Sequence, residues 1–373
     1  MNTIVPFISK RSFTILVIFF MIGTSILITP NALAQNAKQD AWVACIMGVC
    51  VDLLLVWLYV WLGRRHPDRT IVGCCEELLG PWVGKIPGLL FALFCYFLAA
   101  LMVGDLGYFC TTQTMVDTPI EILQLLFVLT VVIAVLSGVG AYVRAADIFF
   151  PWFLLLLVLL VAALAPKFEI GRLQPVMETG IGSLAKGAFS FFSLQELVVL
   201  MMVYPYVRRG KGRGRAFLTG AMIGGLVLVV TTVGSIGVLD SIQVANNQFP
   251  TYIMAKNISI GNFMQRMEGL LMLIWVLSIF MKVTVTFHAS VLGMAQLFRV
   301  EERALVWPLA IGLVVIALMC YTNVVYVQNF LATLWTPFAS LFIIVLPLLL
   351  LAASLIKEQV GPVKSKRRRR VET

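Results

Sequence analysis

Long apolar runs recur along this chain, and many are long enough to cross a bilayer. A hydrocarbon core of roughly 30 Å needs about 20 residues at 1.5 Å each. Backbone in lipid must satisfy its own hydrogen bonds, which leaves helices or a closed barrel. The runs are continuous rather than alternating, so helices are expected. Composition agrees: of 373 residues 60% are apolar and 12% charged, against about 25% charged in soluble domains. The expected fold class is an all-α integral membrane protein of about ten transmembrane helices. The spans are placed at 13–34, 41–62, 86–115, 119–138, 144–165, 185–206, 216–239, 268–298, 305–322 and 336–356. Residues 1–12 form a cytoplasmic N-terminus, 13–356 one membrane domain, and 357–373 a basic cytoplasmic tail. No soluble domain fits in the loops.

Lys10-Arg11, an apolar run and Ala32-Leu33-Ala34 imitate a secretory signal. The run from Phe13 to Leu33 is longer than the usual apolar region of such a signal, about 7–15 residues, and is kept as the first span. Positive charge sets orientation, because Lys and Arg gather in cytoplasmic loops. With both termini inside, 21 of the 28 Lys and Arg are cytoplasmic, six are outside, and Lys282 lies within a span. The net charge of +10 therefore reads as a cytoplasmic anchor on anionic lipid, with Lys366 to Arg370 at its centre, not as a nucleic-acid surface.

The seven cysteines have no C-x-x-C spacing, and His66 and His288 are far apart, so no metal site, cofactor or disulfide framework is indicated. Asn257-Ile258-Ser259 matches a glycosylation sequon, a short pattern that is frequent by chance. No phosphate loop, nucleophile elbow or paired-acid motif is present, and an enzyme is not expected.

What remains is polar chemistry inside the membrane. An ionisable group at the bilayer centre costs on the order of 2.5–3.5 kcal/mol even on the mildest scale, so it faces a cavity or a partner. Asp52, Asp105, Glu196 and Lys282 are such groups. Ser278, Lys282, Thr286, Ala289 and Gly293 share one small, polar helix face; Asp105, Tyr108 and Thr112 share another. A stripe of small residues is also what close helix packing requires.

Two spans look interrupted: the first at Gly23-Thr24-Ser25, followed by Pro30, and the sixth along Ser190-Phe191-Phe192-Ser193-Leu194-Gln195-Glu196. They are the first members of two five-helix halves. Broken helices in corresponding places of two halves point to a transporter-type binding site. A half-helix N-terminus favours a carboxylate, freed carbonyls accept an ammonium, and an amino acid presents both.

The chain resembles the spore germination permeases, the B subunits of nutrient germinant receptors, within the amino acid–polyamine–organocation superfamily. The resemblance rests on Ile22-Gly23-Thr24-Ser25-Ile26-Leu27, Ala37-Lys38-Gln39-Asp40-Ala41-Trp42, Glu196-Leu197-Val198-Val199 with Tyr204-Pro205-Tyr206, and Ala289 to Phe298. It implies a LeuT-like five-plus-five inverted repeat with helices 1 and 6 interrupted. It implies a sensor of a small nutrient, usually an amino acid, in the spore inner membrane, partnered by a membrane A subunit and a lipoprotein C subunit. By this resemblance Gly23, Thr24 and Ser25 hold the ligand carboxylate, Gln195 and Glu196 line the wall near the ammonium, and Tyr108 closes the pocket. Lys282, with Thr286 and Asp105, is assigned to an ion-site or gating role, a fixed ammonium replacing a coupling cation between the first and eighth spans. The family pattern has Gly before the sixth-span acid. Gln195 stands there instead, and Gln unwinds less readily. The alternative function is a proton- or sodium-coupled amino acid transporter of the same superfamily. An ion or dipicolinate channel ranks last, since the spans lack rings of charge.

Overall fold

The structure is a computed structural model that describes residues 7–210, 212–257, 267–321 and 324–360. The basic run Lys366 to Arg370 and most of the sequon lie outside the described residues. Helices α1 (Lys10–Ile22) and α2 (Ser25–Ala37) form the first span, broken between them. Then follow α3 (Ala41–Arg65), the short α4 (Ile71–Leu79), α5 (Lys85–Phe109), α6 (Ile120–Leu136) and α7 (Val139–Leu164). The second half has α8 (Ile181–Ser193), α9 (Arg213–Leu239), short α10 (Ser241–Asn246) and α11 (Pro250–Lys256), α12 (Met267–Phe298) and α13 (Glu302–Cys320). It ends with α14 (Val324–Phe330), α15 (Thr336–Ser340) and α16 (Leu346–Val360), joined through wider π turns.

Eight helical stretches among the described residues are long and apolar enough to cross a membrane. One of them, Ser25–Arg65, has 41 residues. At 1.5 Å per residue it would be roughly 60 Å long, twice the hydrocarbon thickness, so it serves two crossings that meet at the turn Lys38–Asp40. With the 17-residue α6, the crossings match the ten expected. The last is longer than the sequence reading: residues 324–335, expected in a loop, continue the helix because they carry Val, Phe, Leu and Trp. Between the fourth and fifth spans a single turn at Ser137-Gly138 suffices. Gly138 has φ +84°, a conformation that costs glycine little.

The two halves exchange their contacts. The first span packs on α9, and the sixth-span helix α8 packs on α3. Likewise α5 packs on α13 while α12 packs on α6; within the halves, α7 touches α1 and α15 touches α8. Each pair maps onto the other when the five-helix halves are swapped, as an internal repeat requires. Close approach is allowed where α9 is bare: a Cβ on Gly220 would lie 2.6 Å from Val17 Cβ of α1.

Asp40, in the turn between the first two spans, ties that turn to the entry of α8. Its carboxylate accepts from Met177 N at 2.7 Å, Thr179 N at 2.9 Å and Thr179 Oγ1 at 2.7 Å. The start of the sixth span is thereby fixed against the end of the first.

Candidate functional site at two helix breaks

The first break forms because Gly23 closes α1, donating its N–H to Phe19 O at 2.9 Å, and Ser25 restarts the helix. Pro30 in α2 lacks the N–H that would bond Ile26 O. Thr251 of α11 replaces it, its hydroxyl donating to Ile26 O at 2.7 Å. The second break follows Ser193. Leu194 and Gln195 make turn bonds to Phe191 O and Phe192 O. Glu196 then takes φ +41°, left-handed, before a tight 3₁₀ helix from Leu197 to Met202. So the span unwinds with Gln195 in place, and the residue that bends is the acid after it. A left-handed non-glycine residue costs roughly 1–2 kcal/mol.

The two breaks meet. Ser25 Oγ donates to Gln195 Oε1 at 3.2 Å and lies 3.4 Å from Leu194 O. Lys282 of α12 reaches across both. Its Nζ donates to Leu194 O at 2.8 Å and pairs with Glu196 Oε2 at 2.8 Å. The Phe20 ring lies under the ammonium at 5.4 Å. Lys282, Ser25 and Gln195 are fully buried, and Glu196 nearly so. The lysine stem occupies the space beside Gly23, where a Cβ would fall 2.3 Å from Lys282 Cδ. Ser278, one turn earlier on α12, has its Oγ 3.4 Å from Gly23 O. The lysine stem thus runs from the eighth span beside the first, and its ammonium ends on the sixth-span break.

The final span walls the second break. Trp335 Nε1 donates to Ser193 O at 3.0 Å, Thr336 Oγ1 lies 3.0 Å from Ser193 Oγ, and Trp335 stacks on Phe94 of α5. Asp52 of α3 is buried within electrostatic reach of Glu196 and Lys282, and its Oδ2 has no hydrogen-bond partner.

Gly23, Ser25, Gln195, Glu196 and Lys282 therefore form one cluster. Thr24 is buried at the first break. Thr286 donates to Lys282 O at 2.8 Å, so its hydroxyl is used within its own helix. Tyr108 and Asp105 gather elsewhere: Tyr108 packs on Phe249 and Tyr321, and Tyr321 hydrogen-bonds Asp105. The neighbouring Phe109 turns toward α12, 4.6 Å from Trp275. Trp335, Thr336 and Phe20 were missed from sequence. Trp335-Thr336 interrupting an apolar run was the available signal.

Comparison with known proteins places this geometry. The chain is 27% identical over 322 residues to spore germination protein KB of Bacillus subtilis, covering 85% of this chain and 86% of that one. It is 22% identical to spore germination protein A2 of the same organism, covering 76% and 78%. Among solved structures, MhsT in complex with L-phenylalanine superposes with a TM-score of 0.71 at 12% identity, covering 94% of this chain and 99% of that chain. Mhp1, a nucleobase-cation-symport-1 family transporter, gives 0.68 at 15% identity, covering 92% and 80%. At these identities the structural likeness speaks for the fold, which is LeuT-like. Residues 7–327 match the family described as spore germination proteins, the spore permeases, and this chain is a member of it.

Proposed function

We propose that this multi-pass membrane protein is the B subunit of a spore germinant receptor. It binds a small nutrient, of about amino-acid size, where its two broken helices meet, and the binding triggers germination. The observation that carries the reading is the convergence of Gly23, Ser25, Gln195, Glu196 and Lys282 in one buried cluster within a chain of the spore germination family. A pair of breaks in corresponding helices of two halves supplies free backbone donors and acceptors for a ligand. The proposed partners are a membrane A subunit and a lipoprotein C subunit, and the proposed location is the spore inner membrane with both termini cytoplasmic. The charge distribution of the loops supports that orientation.

The test is dipicolinic acid release from spores lacking this chain, beside wild-type and complemented spores, across amino acids, sugars and nucleosides. Loss of response to one nutrient class, restored by the gene, is the expected result. Unchanged release to every nutrient would refute the receptor role and turn attention to uptake of radiolabelled solute.

A further inference from the structure

A ligand with an ammonium group needs acceptors, and at paired helix breaks those are freed carbonyls and any carboxylate nearby. Here one of each is already engaged. The Leu194 carbonyl and Glu196 are taken by Lys282, at 2.8 Å each. The ring face of Phe20, a further cation partner, is taken as well. Shape holds the lysine there, since its stem fills the room left by the absent side chain of Gly23. We propose that Lys282 is a tethered ammonium filling the place of a ligand's own, so that the site accepts an uncharged, hydroxyl-bearing molecule rather than an amino acid. The proposal rests on the reading that the nutrient binds at the breaks, and it narrows the nutrient's chemistry.

The partners left for each pole of an amino acid support the class. Lys282 is one cation beside two buried carboxyl groups, Glu196 and Asp52. A ligand carboxylate would look for a cation, and Lys282 is already paired with Glu196, so that pole would be buried without a partner, which is costly. A ligand ammonium would find Asp52 only, which stands on α3, outside both breaks. The other polar side chains around the breaks are neutral and bonded in pairs, Ser25 with Gln195 and Ser193 with Thr336, and a neutral ligand can exchange such bonds for its own. Hydroxyls and amides both donate and accept, which suits a polyol.

The experiment compares spores carrying the chain, with its native partner subunits, to spores lacking it. Probes are the common amino acids, their 2-hydroxy-acid counterparts, and uncharged D-glucose, D-fructose and myo-inositol; the readout is dipicolinic acid release. Expected is chain-dependent release by an uncharged probe, at concentrations at least ten-fold below any amino acid. Lys282→Met, at wild-type abundance in the membrane, should lose that response, and Lys282→Arg should keep part of it. Chain-dependent release by an amino acid at low concentration, with its 2-hydroxy analogue and the uncharged probes silent, would overturn the tethered ammonium and leave the receptor standing. Identical release with and without the chain for every probe would overturn both. The wild-type panel decides the matter even where a variant fails to accumulate.

Discussion

Lys282 and Glu196 show how costly groups persist in a membrane core: each neutralises the other, and the helix breaks supply the remaining hydrogen bond. Removing one partner should be far worse than removing both. Glu196→Gln takes the paired carboxylate from a buried ammonium, at about 3–5 kcal/mol when no other acid takes its place. The expected outcome is a large drop in melting temperature of the detergent-purified protein. Combining Glu196→Gln with Lys282→Met should recover most of that loss while germination stays abolished, because apolar replacement of a buried pair is often neutral. Additive losses in the double variant would show that the pair is not coupled. Gly23→Ala is the steric counterpart. Its Cβ would sit 2.3 Å from Lys282 Cδ, the flexible part of that side chain. The protein should fold, with Lys282 displaced and germinant sensitivity lowered by roughly ten-fold; an unaltered dose response would refute the contact's importance.

At the scale of elements, both breaks were legible because their residues disobey helix chemistry: Gly-Thr-Ser in one, Ser, Gln and Glu amid apolar neighbours in the other. Their meeting was not legible, since Ser25 and Gln195, or Glu196 and Lys282, are joined only by the packing of distant helices. Gln195 was expected to resist unwinding. It does not need to unwind alone, because Glu196 carries the left-handed turn and Lys282 holds the carbonyl of Leu194. Tyr108 shares a helix face with Asp105 in sequence and keeps that company in space, at Tyr321. Pro30 is a further element-scale case. Thr251 serves the carbonyl that Pro30 leaves bare, so Thr251→Val should cost about 1–3 kcal/mol for an unsatisfied buried acceptor. Thr251→Ser should cost little, and equal melting temperatures for the two variants would contradict this account.

For the whole molecule, the two halves are closed on each other near the N-terminus. Phe7 N and Ile8 N donate to Tyr206 O at 2.9 Å, and Arg208 N donates to Ile8 O at 2.9 Å, so the chain entering the first span runs beside the chain leaving the sixth. Motion of the first span against the end of the sixth, one form of the gating by which such repeats open, would part this pairing. A disulfide between Ile8→Cys and Val207→Cys should therefore block germination under oxidising conditions, with recovery on reduction. A response that survives complete cross-linking would show that signalling needs no opening at this end. The described cysteines of the wild type are all free, so single-cysteine controls are needed in the same assay.

The contact between Gly23 and Lys282 also limits which substitutions the site can take singly. A side chain cannot be added at position 23 while a long stem crosses at position 282, and shortening the stem leaves a void that glycine does not fill. The two positions are sterically coupled, so a larger residue at 23 calls for a shorter one at 282, and the space the lysine stem vacates would be room for a different ligand.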